Sequence, residues 1–166
     1  YIDRARDPSG KLKVNWAHLL LASLVAQGYV NRILTTNFDP LIVEALAMIG
    51  EEIRTYDLNL TARYDPGTLD PGAVIYLHGQ SHSLLLVNSP DEMKRVKELY
   101  PRVLGESLDK SYLIVVGYSG ECDPVLDALS SMRMVPEGLW WSHFSPSGGA
   151  LGDGALQLFK THAGSC

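Results

Sequence analysis

The stretch ILTTNFD, residues 33–39, turns from apolar to small, polar and acidic within a few steps. A buried strand that ends on Thr35, Thr36, Asn37, Phe38 and Asp39 has either reached the surface or presents hydrogen-bonding groups to a ligand. Asn37 carries a donor and an acceptor on a short, stiff side chain, suited to fixing a sugar hydroxyl or a water. An Asn at a strand end also commonly bonds its own loop backbone. Asp39, with Pro40 behind it, is a good helix cap whatever else it does. A second polar end follows AVIYL at 73–77, which runs into His78-Gly79. An imidazole there could take a proton from a ribose hydroxyl or water near neutral pH, and Gly79 lets backbone come close. A lone histidine is also commonly structural. The third end is YLIVV at 112–116, which empties into Gly117-Tyr118-Ser119 and then Asp123-Pro124. Such a turn can approach a phosphate or ribose closely, and it opens a helix whose amino end favours an anion. Small residues at a strand–helix turn also occur without any ligand.

The elements needed to position these groups alternate between helix-like and strand-like segments, the pattern of an α/β layered sheet. Asn15 caps an apolar helix, WAHLLLASLVAQ, that ends at Gly28, and a strand follows at 32–36. Asp39 and Pro40 open a second helix that Gly50 closes. After the strand at 73–77 comes an apolar run at 83–87, then a helix with a Ser89–Glu92 capping box that should break before Pro101 and resume to about Leu108. The run at 112–116 is the strongest signal of a strand buried on both faces. Asp123-Pro124 opens a further helix, LWWSHF at 139–144 reads as a strand with Trp140 and Trp141 packed on the sheet, and ALQLF at 155–159 reads as a weaker strand. If the three polar strand ends belong to parallel neighbours, they meet at one crevice beyond the carboxyl ends, where open α/β sheets bind ligands.

Composition narrows the classes. With 166 residues, 46% of them hydrophobic, the chain is expected to form one domain with a sizeable core. A formal charge of −5 argues against a nucleic-acid backbone as partner. No apolar stretch approaches the roughly 20 residues of a membrane span, and the first residues have no signal-peptide core. Cys122 and Cys166 lie far apart, suit a reducing cytoplasm and cannot build a four-cysteine zinc site. His78 and His82, straddling a strand–loop junction, do not share a face, so no metal is expected. His18, His143 and His162 form no usable constellation, and no nucleophile elbow or P-loop is present. Both ends read as cut, so the chain is expected to be an excerpt of a larger protein.

ILTTNFDPLIVEAL, YLHG and YLIVVGYSGECDPVLDAL, in this order and spacing, resemble the sirtuin superfamily. The closer likeness is to bacterial sirtuin-like domains, including NAD-consuming antiphage-defence proteins, and it runs over roughly residues 15–145. The resemblance implies a Rossmann-like, doubly wound, mainly parallel sheet with helices on both faces, spanning 1–166. It also implies NAD as substrate or ligand. Asn37 and Asp39 fall on the family's Asn and Asp beside the nicotinamide ribose and nicotinamide pocket, and His78 on its general base. Gly117 and Ser119 fall on the cofactor-binding turn. The implied catalytic pair is Asn37 and His78; the implied cofactor-binding residues are Thr35, Thr36, Asn37, Phe38, Asp39, Gly79, Gly117, Tyr118, Ser119 and Asp123.

The chain departs from the family pattern twice. The four-cysteine zinc ribbon of sirtuin deacylases is missing, and the segment between the Asn-Asp strand and the HG strand is too short for it. The opening glycine-rich βα unit that cradles the pyrophosphate is missing too. The expectation is therefore a cytoplasmic NAD glycohydrolase domain, with an NAD or ADP-ribose sensor as the alternative and a protein deacylase as the minor one. Other domains of a larger chain, or a second copy, are the expected protein partners.

Overall fold

The computed structural model describes residues 13–60, 67, 69–80, 90–119, 123–132, 137–142 and 151–163. The apolar run at 83–87, His82, Ser89 and the end of the strand expected at 139–144 lie outside them. The elements form an α/β fold, Rossmann-like in its parallel strands and alternating helices, and they divide into two compact units.

The first unit opens with α1, Trp16–Ala26. Asn15 caps it, its side-chain oxygen accepting from the Ala17 and His18 amides, while His18 Nδ1 accepts the Asn15 amide at 3.1 Å. His18 thus does in this capping box what Glu or Gln usually does. Strand β1 spans Ile33–Thr35, and α2 spans Leu41–Met48. The helix starts one residue later than the cap signal suggests, but Asp39 Oδ1 still accepts the Leu41 amide at 3.1 Å. It ends in a Schellman motif: Gly50, at φ +84°, allows the Glu51 amide to reach the Leu46 carbonyl and its own amide the Ala47 carbonyl.

Strand β2, Thr55–Asp57, was not expected from the sequence, whereas β3, Val74–Tyr76, was. All pairings are parallel and the order is β1-β3-β2, with β3 in the middle. Ala22 and Val25 of α1 and Ala45 and Leu46 of α2 pack with Ile33, Val74 and Tyr76, which share one face of the sheet. Ile75, pointing to the opposite face, is also fully buried. Central β3 is therefore covered on both sides, as its unbroken apolar run requires.

The second unit holds α3 (Pro90–Leu108), β4 (Tyr112–Val116), α4 (Pro124–Ser131), β5 (Gly138–Ser142) and α5 (Asp153–Ala163). Three expectations need correction here. Helix α3 runs through Pro101 without a break. Val96, Tyr100, Val103, Leu104 and Leu108 are all buried at helical spacing, and that continuous apolar face outweighs the one backbone bond the proline removes. Residues 155–159 are helical rather than a strand. Ala155 and Leu158 are buried three positions apart, a helical period that the short run concealed, and α5 contacts α4.

The third correction concerns β4, which pairs in parallel with β5 in a two-stranded sheet. It is not buried on both faces. Val115 is buried, but Tyr112, Ile114 and Val116 on the other face are exposed, as is Trp140, the register partner of Ile114. Trp141 packs, with its ring 5.8 Å from that of Tyr118; Trp140 does not.

Candidate functional site

Register brings the first two polar strand ends together. Thr35, Tyr76 and Asp57 are aligned across β1, β3 and β2. Asn37, His78 and Asn59 each lie two residues beyond this row, so three side chains of hydrogen-bonding type stand at one carboxyl edge with His78 in the middle.

The β1 turn is held by its own side chains and by β3. Thr35 Oγ1 accepts the Asn37 amide at 3.1 Å, and the Tyr76 hydroxyl donates to the Asp39 carbonyl at 3.1 Å. The buried Tyr76 ring therefore carries a polar tip that fixes the start of α2. Burial first, then the carboxylates of Asp39, Asp57 and Glu44, push its phenol up, so it remains a donor at neutral pH. Asn37 is exposed, and its side chain forms no hydrogen bond among the described residues. Thr36 is half-buried, and Asp39 is committed to the α2 amide. Phe38, unusually exposed for its type at 53%, places its ring 6.3 Å from the His78 imidazole at a tilt of 38°.

The β3 turn has a different support. Asn59 Nδ2 donates to the His78 carbonyl at 2.7 Å. Asp57, only 7% exposed, accepts the Asn59 amide on Oδ1 at 2.9 Å and the Gln80 amide on Oδ2 at 3.0 Å. Gly79, buried at φ +92°, sits so close that a Cβ there would run into the Asn59 amide. Asp57 and Asn59 escaped sequence reasoning because β2 did. The signal was Thr55-Tyr56, a β-branched and an aromatic residue, followed by an Asp-x-Asn strand end of the same kind as the Asn-x-Asp that was recognised in β1.

In the second unit, Gly117 (φ +68°), Tyr118 and Ser119 follow β4, and Asp123 caps α4 by accepting the Val125 amide at 2.8 Å. Burial, then the Asp123 carboxylate, push the Tyr118 phenol well up. Among the described residues its hydroxyl is buried without a hydrogen bond of good geometry, although Asp123 acts on it electrostatically. Of the three strands expected to be neighbours, β1 and β3 are paired and β4 pairs with β5. Among the described residues no group of three or more His, Cys, Asp or Glu is arranged to hold a metal, and no helix is long and apolar enough to cross a membrane.

The SIR2-like domain family matches residues 31–138, which span both polar turns of the first unit and β4 with its turn. The chain belongs to the SIR2-like domain family. No curated protein matches it. Membership ties the domain to NAD-related function in general and agrees with the parallel α/β architecture.

Proposed function

We propose that this SIR2-like domain hydrolyses NAD at the nicotinamide–ribose bond, giving nicotinamide and ADP-ribose. The observation that carries the reading is the level placement of Asn37 and His78 at the ends of two hydrogen-bonded parallel strands, with the Phe38 ring beside the imidazole. In this reaction the glycosidic C–N bond breaks and its electron pair leaves with nicotinamide. A water oxygen bonds to the ribose carbon, and the water's proton passes to His78. Asn37, exposed and uncommitted to the described protein groups, orients that water or a ribose hydroxyl. Exposed Phe38 offers an aromatic face to the flat nicotinamide ring. In the second unit the resemblance assigns cofactor contacts to Gly117, Tyr118, Ser119 and Asp123, and the amino end of α4, which Asp123 caps, suits a phosphate. Two cysteines in 166 residues leave no ribbon for an acyl-lysine substrate, and water is accordingly the acceptor in this reading. Consumption of cellular NAD, in an antiphage-defence setting in the cytoplasm, is the physiological extension of the proposal.

Nicotinamide release from NAD by the protein in its full natural length, beside His78→Ala and Asn37→Ala, tests it. Release that falls by about 100-fold or more in each variant, with the fold retained by circular dichroism, is the expected result. Saturable binding of NAD or ADP-ribose without any release would replace hydrolysis by sensing. Release that survives His78→Ala would remove the imidazole as base.

A further inference from the structure

The least explained polar group in the first unit is Asp57. A carboxylate 93% buried at a strand end is costly unless its oxygens are satisfied, and both are used on backbone amides. Those two amides do not belong to one turn. One is Asn59, in the turn after β2; the other is Gln80, in the turn after β3. Asp57 therefore ties two neighbouring turns together. Asn59, oriented by that tie, donates its side-chain amide to the carbonyl of His78 at 2.7 Å. The short segment His78-Gly79-Gln80 is thus gripped at both ends by the end of β2 and its turn, and Gly79 lies flush against the gripping amide. The side chains of Asp57 and Asn59 serve neither a helix cap nor the sheet ladder, which runs through backbone bonds such as the Leu58 amide to the Tyr76 carbonyl and the Leu77 amide to the Thr35 carbonyl.

We propose that Asp57, at the end of β2, and Asn59, in the turn after it, are positioning residues that hold the His78 backbone level with Asn37 across the sheet edge. The proposal rests on His78 acting as the base in NAD hydrolysis. A turn released from this grip can swing about its glycine, and a general base works only within hydrogen-bond reach of the proton it takes. Displacement of about 1 Å is enough to lower turnover on the order of 100-fold while leaving binding by remote groups intact.

The test uses Asn59→Ala, which removes the donor to His78, and Asp57→Asn, which leaves one of the two amides facing a donor. Nicotinamide release is measured for each, together with the cross-relaxation between the Phe38 and His78 ring protons by NMR, assigned with His78→Ala. The expected result is turnover lower by about 10- to 100-fold, KM for NAD within about threefold, and weakened ring–ring contact in a folded protein. Unchanged turnover and contact in Asn59→Ala would overturn the proposal, and so would activity that falls only in step with the folded fraction. If the unsubstituted protein releases no nicotinamide, the hydrolase reading fails by itself. The ring contact then decides alone: weakened in the variants, it supports the positioning role, and unchanged, it overturns it.

Discussion

Substituting Gly79 by alanine isolates the fit between the two turns. The backbone stands at φ +92°, where an L side chain costs about 1–2 kcal/mol. The added Cβ would also overlap the Asn59 side-chain amide and crowd its Cγ at 3.2 Å and Asp57 Oδ1 at 3.4 Å. Asn59 cannot retreat without releasing the His78 carbonyl, so the overlap adds a further strain of about 1–3 kcal/mol. The total is about 2–5 kcal/mol, a large part of a typical stability of 5–15 kcal/mol. Urea unfolding monitored by circular dichroism measures it. Repeating the substitution in an Asn59→Ala background separates the components, because the colliding atoms are then gone and only the backbone cost of about 1–2 kcal/mol remains. A Gly79→Ala cost below about 0.5 kcal/mol, or an equal cost in both backgrounds, would refute the packing argument.

Tyr100, buried in α3, has its phenol pushed up to about 12, by burial first and then by Asp123. The folded state thus holds this proton more tightly than the unfolded chain, whose phenols titrate near 10. The stabilisation is complete below about pH 10 and declines as pH rises toward about 12, a slope that Tyr100→Phe should reduce in alkaline unfolding curves. Asp123→Ala removes the α4 cap and should cost about 1 kcal/mol in urea unfolding, with no change if the Val125 amide is equally well served by water.

Much of the fold was legible because its signals are local. Asn15, Gly50 and Asp123 act on backbone groups a few residues away, and each does in the structure what its position implied. The turns after β1 and β3 were legible for a related reason: a run of apolar residues that stops on TTNFD or HG leaves little doubt where a buried strand ends. What escaped depends on partners distant in sequence. Strand β2 is three residues long and exists because β3 offers it an edge, so neither it nor Asp57 and Asn59 stood out. Helix α3 survives Pro101 because of the face it buries, and α5 is recognisable only from the three-residue spacing of Ala155 and Leu158. The exposed face of β4 was misjudged because five apolar residues in a row say nothing about which side will be covered.

The strand order β1-β3-β2 has a consequence for how the domain comes into being. During synthesis β1 and β2 emerge first, yet they never pair with each other; both wait for β3 to be inserted between them. Until then two open strand edges are available to other chains, and no part of the sheet can close on local contacts alone. Arrival of β3 pairs the facing edges of β1 and β2 and brings His78 to its place between Asn37 and Asn59 in the same event. The sheet and the polar row at its edge are therefore completed together, so a nascent chain stalled before residue 73 would hold neither.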